Sequence, residues 1–196
     1  MKRLFDILAS GLGLLVLSPL FLILAVWIPL DSQGPVFYRQ TRVGRGGRDF
    51  RIFKFRTMRV GADKGSLVTI GGRDPRVTRV GAFLRWLKLD ELPQLLNVLI
   101  GDMSLVGPRP EVRKYVDLYT PEQSHVLDVR PGMTDAASIK YRNESELLGQ
   151  VEDPEDYYIH VVMPDKLAIN LDYVQNHSFW GDIKLIFKTI WTVVAR

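Results

Sequence analysis

The chain has 196 residues, enough to bury one substantial core, so one domain plus a membrane element is the natural division. It contains no cysteine, which excludes a disulfide framework, a thiolate nucleophile and zinc–thiolate sites and agrees with a cytoplasmic setting. A net charge of +4 and a pI near 9.4 suit an anionic partner: nucleic acid, an anionic membrane face or a phosphorylated substrate.

The apolar residues gather at the N-terminus. No charged residue falls between Ile7 and Leu30, a run long enough to cross roughly 30 Å of hydrocarbon as a helix. The run is long for a signal peptide, and no small-x-small cleavage site follows it. Ser18-Pro19 lies mid-run, where proline removes a backbone hydrogen bond and kinks a helix, and the Ser18 hydroxyl can satisfy the carbonyl set free. Lys2 and Arg3 precede the run, and Arg39, Arg42, Arg45 and Arg48 follow it. An excess of positive charge on both flanks places both on the cytoplasmic side. Residues 1–32 are therefore expected to form a re-entrant membrane helix broken at Ser18-Pro19, in preference to a kinked span. Residues 33–196 form the cytoplasmic domain.

Gly34-Pro35 ends this element. The runs 36–43 and 50–56, aromatic and partly alternating, flank Gly44-Arg45-Gly46-Gly47 and predict a β-hairpin. Phe53 and Phe55 share one face of it, Lys54 and Arg56 the other. Most of the hairpin arginines read as a solvated basic face or one touching anionic headgroups. Lys54 and Arg56 are the candidates for a substrate phosphate. Gly44-Arg45-Gly46-Gly47 is not a dinucleotide fingerprint, and no Walker sequence occurs.

Val80 to Lys88 predicts a helix, and the spacing of Leu92, Leu95, Leu96 and Leu99 predicts a second. Between them Asp90 has the chemistry of an N-cap, and Pro93 falls within a first turn. The helix dipole there favours ionised carboxylates at Asp90 and Glu91. A cap and a dipole partner are the simplest roles for the pair. Two observations point further: Arg85 and Lys88 precede the acids at helical spacing, and Pro108-Arg109-Pro110 follows closely. Prolines on both sides of Arg109 fix its backbone as extended and lower the entropy of presenting its guanidinium to a phosphate.

Beyond this, Thr120-Pro121-Glu122-Gln123 is a capping box that begins a helix, and Arg130-Pro131-Gly132-Met133 is a turn with Gly132 free to take φ > 0. Asp153-Pro154-Glu155 and Pro164-Asp165 each start a helix. The last helix, from Ser178, lines up Trp180, Ile183, Phe187, Ile190, Trp191 and Val194, a face suited to core or to a membrane interface, with the tryptophans favouring the interface. His125, His160 and His177 lack metal-ligand spacing. The fold class is mainly α with a short β-hairpin (α+β), its re-entrant helix and amphipathic interfacial helices packed on a small cytoplasmic domain.

The segments 89–95, 101–110, Lys54-Phe55-Arg56-Thr57-Met58 and Arg130-Pro131-Gly132-Met133-Thr134 together resemble the small monotopic phosphoglycosyl transferases, or bacterial sugar transferases, over nearly the whole chain and in the family's order. The resemblance implies transfer of a sugar 1-phosphate from a UDP-sugar to polyprenyl (undecaprenyl) phosphate with Mg2+, releasing UMP, at the bacterial inner membrane, as the first membrane step of glycoconjugate assembly. It implies Asp90 as the nucleophile of a phosphosugar–aspartyl intermediate, Glu91 as its partner, and both as candidate metal residues. It further implies that Lys54, Arg56, Arg85 and the Pro108-Arg109-Pro110 segment hold phosphates or nucleotide, and that the N-terminal helix re-enters at Ser18-Pro19. One departure is Asn170, where relatives often carry an acid. The expected partners are donor, acceptor and membrane lipids, with no nucleic acid, and homo-oligomerisation is left open. The alternatives are a direct single displacement, a membrane-anchored nucleic-acid binder using Arg42, Arg45 and Arg48, and a non-catalytic scaffold.

Overall fold

The computed structural model describes residues 1–62 and 74–195. Helix α1 runs from Lys2 to Asp31, about 45 Å at 1.5 Å per residue. It is the one helix among the described residues long and apolar enough to cross a membrane, judged by length and composition. The expected break at Ser18-Pro19 is not an interruption of helix: α1 is helical through both Pro19 and Pro29. Pro19 cannot donate to the Leu15 carbonyl, and the Ser18 hydroxyl does so instead at 2.7 Å.

One stripe of α1 is docked along its length. Lys2 pairs with Asp182 and donates to the Val106 carbonyl at 2.9 Å. Arg3 donates to the carbonyls of Val98 and Leu99 at 2.6 and 3.0 Å, satisfying the open end of a later helix. Asp6 is buried and accepts from Ser104 Oγ at 2.9 Å and from the Leu105 amide at 3.1 Å. Near the other end, Leu24 and Ile28 enter a core cluster with Phe55, Val80 and Leu84. Asp31 accepts from the Val80 amide at 3.0 Å. The opposite stripe, including Leu8, Leu12, Leu15, Leu22, Val26 and Leu30, is exposed.

The hairpin forms as the alternation predicts. β1 (Phe37–Val43) pairs antiparallel with β2 (Asp49–Phe55), from Phe37 opposite Phe55 to Val43 opposite Asp49. Its turn uses Gly46 and Gly47 at φ 66° and 73°. Helix α2 (Arg79–Trp86) begins at Thr78, whose hydroxyl accepts from the Gly81 amide. Gly81 is required by contact, since a Cβ there would lie 2.0 Å from the Thr57 carbonyl oxygen. A 3-10 turn, Leu89–Glu91, separates α2 from α3 (Gln94–Ile100).

β3 (Ser104–Val106) and β4 (Gly132–Thr134) form a short parallel pair, Ser104 opposite Gly132 and Val106 opposite Thr134. The predicted turn at Gly132 is therefore a strand. Its glycine is demanded by proximity, because a Cβ would sit 2.1 Å from the Gly107 amide nitrogen. Between the strands lie α4 (Arg113–Val116) and a 3-10 segment, Gln123–Asp128. The capping box forms in both directions, Thr120 N to Gln123 Oε1 at 2.9 Å and Gln123 N to Thr120 Oγ1 at 3.2 Å, but the turn it starts is 3-10.

Next come α5 (Ala136–Lys140), α6 (Glu144–Leu148) and α7 (Pro154–Tyr157), the last capped by Asp153. A π-helical turn, Tyr158–Val162, joins α7 to α8 (Met163–Asn176), so Pro164 continues a helix instead of starting a separate one. Tyr115, Val126, Leu148, Tyr158, Val162, Met163 and Leu167 form the second core cluster. In α9 (Phe179–Val194), capped by Ser178, Trp180 and Trp191 are each 72% exposed, and Phe187 and Ile190 are exposed beside them.

Candidate active site

Asp90 does not cap α3. The 3-10 turn intervenes, and the amides of Glu91, Leu92, Leu95 and Leu96 bond to the carbonyls of Lys88, Leu89, Leu92 and Pro93. Asp90 instead turns inward, helped by Lys88, the one non-glycine residue at positive φ (57°) among those described. A left-handed lysine costs on the order of 1 kcal/mol, a strain that recurs at functional sites. Asp90 is buried, and its Oδ1 has no hydrogen-bond partner among the described residues. Burial raises its carboxyl above the ordinary aspartate range and the adjacent Glu91 raises it further, against Lys54, Arg85 and Lys88. The dipole expectation of a more acidic carboxylate fails here because desolvation outweighs it.

Glu91 has the opposite character. Arg109 grips it with both terminal nitrogens, one at 3.0 Å on Oε2 and the other on Oε1, and Lys54 Nζ reaches Oε1 at 3.0 Å. Burial alone would raise Glu91, but Arg109 and Lys54 overcome it and hold the carboxyl well below the ordinary range. Glu91 in turn raises Arg109, while burial lowers Lys54.

The aim of Arg109 comes from its neighbours. The Pro108 carbonyl accepts from the Gly132 amide at 2.9 Å, and the Pro110 carbonyl accepts from Arg42 at 3.1 Å. Arg85 donates Nε to Thr57 Oγ1 at 2.9 Å and lines a cavity with Asp90 and Lys54. Arg56 has another task. Its five donors go to the carbonyls of Ser32, Gln33, Gly34 and Pro35 and to the Ser32 hydroxyl, at 2.6–3.3 Å, which locks the chain leaving α1. The structure thus gathers Lys54, Arg85, Asp90, Glu91 and Arg109, and Arg56 lines the same cavity as Asp90 while its donors hold the chain leaving α1.

Two cavities meet at the acids. One of about 330 Å³ contains Asp90, Lys54, Arg59 and Arg85. Another of about 410 Å³ contains Lys88, Glu91 and Arg109 and extends to Glu111, Tyr158 and Lys166, and Gln40 and Arg42 line both. Glu111, Glu144, Tyr158 and Lys166 were not singled out from the sequence. They lie far apart in the chain, and the single local signal is that Glu111 follows the rigid Arg109 segment. Asn170 is buried with Oδ1 unpartnered among the described residues, and it lines neither cavity. No cluster of three or more acidic or histidine metal ligands occurs among the described residues.

The profile of the bacterial sugar transferase family matches residues 1–196. The chain belongs to the bacterial sugar transferase family. Within that family it is 42% identical to the UDP-N-acetylgalactosamine-undecaprenyl-phosphate N-acetylgalactosaminephosphotransferase of Aeromonas hydrophila, over 99% of this chain and 44% of the relative. It is 42% identical to the UDP-glucose:undecaprenyl-phosphate glucose-1-phosphate transferase of Caulobacter vibrioides, over 96% of this chain and 68% of that protein. It is 40% identical to exopolysaccharide production protein PSS of Rhizobium leguminosarum bv. phaseoli, over 100% of this chain and 96% of the relative. This sugar transferase chain thus spans less than half of the Aeromonas relative and nearly all of the Rhizobium one.

Proposed function

We propose that this sugar transferase moves a sugar 1-phosphate from a UDP-sugar to undecaprenyl or a similar polyprenyl phosphate, releasing UMP, in the assembly of a bacterial polysaccharide. The observation that carries the reading is buried Asp90, with no hydrogen-bond partner on Oδ1 among the described residues, lining a cavity whose other charged groups are cations. The names of the relatives supply donor and acceptor class.

The reaction proceeds in two displacements. In the first, the Asp90 carboxylate attacks the sugar-bearing phosphorus. A phosphorus–oxygen bond to the carboxylate forms, the pyrophosphate bridge breaks, and UMP leaves with the bonding pair. In the second, a lipid phosphate oxygen attacks the same phosphorus and the carboxylate leaves. Asp90 must be ionised to attack, and its desolvated setting makes it more basic than an exposed aspartate. Lys54, Arg85 and Arg109 neutralise the transferring phosphoryl group, which is the main catalytic need in phosphoryl transfer. Glu91 acts through them, holding Lys54 and Arg109 in place.

Magnesium fits this site, because the Asp90 carboxylate has a second oxygen besides the attacking one to offer as a donor of the kind it takes, with substrate phosphates and water completing the shell. Asp90 is the residue that would hold it, since both Glu91 oxygens are engaged. When bound, the ion supplies charge neutralisation on the pyrophosphate.

A re-entrant α1 keeps this chemistry at the headgroup plane on the cytoplasmic face of the inner membrane. Supporting it, both ends of α1 bond to the same domain, through Lys2 and Arg3 at one end and Asp31 at the other. The test is UMP release from UDP-sugars with undecaprenyl phosphate. Asp90→Asn is expected to lose activity by at least about 10³-fold. Near-wild-type release by that variant would sink the covalent scheme.

A further inference from the structure

Double displacement sets a requirement on space. The sugar stays on the protein between the two steps, while the nucleotide leaves and the lipid phosphate enters. The sugar therefore needs a compartment that the exchanging phosphates do not pass through. The 330 Å³ cavity has the chemistry for exchange, with Lys54, Arg59 and Arg85 around Asp90, and it is lined by Pro35 and Phe37 from the chain leaving α1. Cations there suit both a nucleoside diphosphate and a lipid phosphate.

The far corner of the 410 Å³ cavity has different chemistry. Lys166 is 9% exposed and donates to Glu144 Oε2 at 2.9 Å, with Glu111 Oε1 4.0 Å away. Tyr158 donates its hydroxyl to Glu111 Oε1 at 2.6 Å. Tyr115 also lines the cavity, and its buried hydroxyl has no hydrogen-bond partner among the described residues. Here Lys166 is already paired with Glu144, and Arg42 lies 3.4 Å from Glu111, so a phosphate would have to compete with both carboxylates for those cations. An ammonium, carboxylates and a free phenol in alternation instead match the vicinal hydroxyls of a hexose, each of which both donates and accepts. The volume lies within the usual range for a small-ligand site of about 300–1,000 Å³, and the corner lies in the same cavity as Glu91 and Arg109.

We infer that the corner built from Glu111, Tyr115, Glu144 and Lys166 holds the hexose ring of the donor, and keeps it through both displacements while nucleotide and lipid phosphate exchange through the basic cavity. This rests on the proposed transfer reaction. It gives the sugar specificity a location away from the phosphate-binding arginines.

Binding and turnover are measured separately on the full chain. In titration calorimetry, the wild type should bind its preferred UDP-sugar at least tenfold more tightly than UDP. Glu144→Gln should remove most of that difference and leave UMP affinity within about twofold. Because Glu144→Gln can disturb Lys166, a second variant, Thr192→Trp, adds bulk from α9 at the cavity wall without touching the network. It should lower kcat/KM for UDP-sugars at least tenfold with UMP inhibition unchanged. Equal losses of UDP-sugar and UMP affinity would assign the corner to the nucleotide and overturn the inference, as would wild-type binding of UDP-sugar no tighter than UDP. A wild type that binds UDP-sugar selectively yet releases no UMP with lipid acceptor would instead refute the transfer reaction and leave the sugar corner standing.

Discussion

Replacing Glu91 by Gln tests whether that carboxylate organises the cations, as the geometry says. The change is nearly isosteric and keeps one carbonyl acceptor, but it removes the charge shared by Lys54 and Arg109. Three charge-assisted hydrogen bonds converge on Glu91. Leaving buried partners uncompensated costs about 3–5 kcal/mol when desolvation is complete. Here the three side chains keep 19–29% exposure, and Gln retains part of the bonding, so about 2 kcal/mol is the reasonable expectation. For a chain of this size that is roughly a 4–8 °C fall in Tm, readable by thermal unfolding in detergent. Activity carries a second signature. Glu91 is one of the causes that raise the Asp90 carboxyl, so neutralising it lowers that pKa and moves the acid limb of the UMP-release profile to lower pH. Arg109→Gln combined with Glu91→Gln should cost less than the two singles added together. An unchanged Tm with an unmoved acid limb would refute the clamp.

Arg56→Lys replaces five donors by one ammonium and should cost about 2–4 kcal/mol in thermal unfolding while leaving UMP inhibition within twofold, since Arg56 holds carbonyls and not phosphate. Gly81→Ala places a methyl against the Thr57 backbone, so α2 must shift; about 1–3 kcal/mol of destabilisation and at least a tenfold loss of UMP release are expected as Arg85 leaves its place on Thr57. Stability should also fall in acid. Glu91 and Glu111 are both held below the ordinary glutamate value of 4.5, so their contribution is fully present above that value and is lost as pH drops through their lowered folded values. Denaturant midpoints measured from pH 6 downward read the loss, and Glu91→Gln should flatten it.

What the sequence revealed and what it concealed divide by range. The caps at Thr120, Asp153 and Ser178 and the hairpin were legible because each closes within a few residues. The candidate acids are legible through their neighbours, Arg85, Lys88 and the Arg109 segment, whereas the cap geometry the sequence suggests for Asp90 does not form. An aspartate ahead of an apolar helix caps it or faces inward according to one backbone rotation, here the left-handed Lys88. Gly132 was misassigned for a related reason. A glycine chosen because another strand passes within 2.1 Å of its missing Cβ looks, in one dimension, like a glycine chosen for positive φ. The bonds of Arg56 to carbonyls 21–24 residues earlier are not legible in the sequence, because nothing local shows where its guanidinium donors go. The Glu111–Tyr158–Lys166–Glu144 network joins α6, the continuous run from the π-helical turn into α8, and the Arg109 segment, so no motif could announce it.

The two acids work as a pair because their environments push them apart. Glu91 is stabilised as an anion and is thereby committed to two cations; Asp90 has no such partner on Oδ1 among the described residues and is left basic. Exchanging the roles would fail. An Asp90 held by Arg109 would have its attacking lone pairs spent on hydrogen bonds, and a free Glu91 would leave Arg109 and Lys54 without a fixed position. Around the pair, Lys54, Arg85, Lys88 and Arg109 outnumber the acids by two, which matches the charge of a nucleoside-diphosphate sugar entering the site. In the proposed transfer, binding therefore brings the dyad toward neutrality at the moment Asp90 acts as the nucleophile. On that proposal, the burial that makes an unpartnered carboxylate costly in the free protein is also what makes it reactive toward phosphorus once the donor arrives.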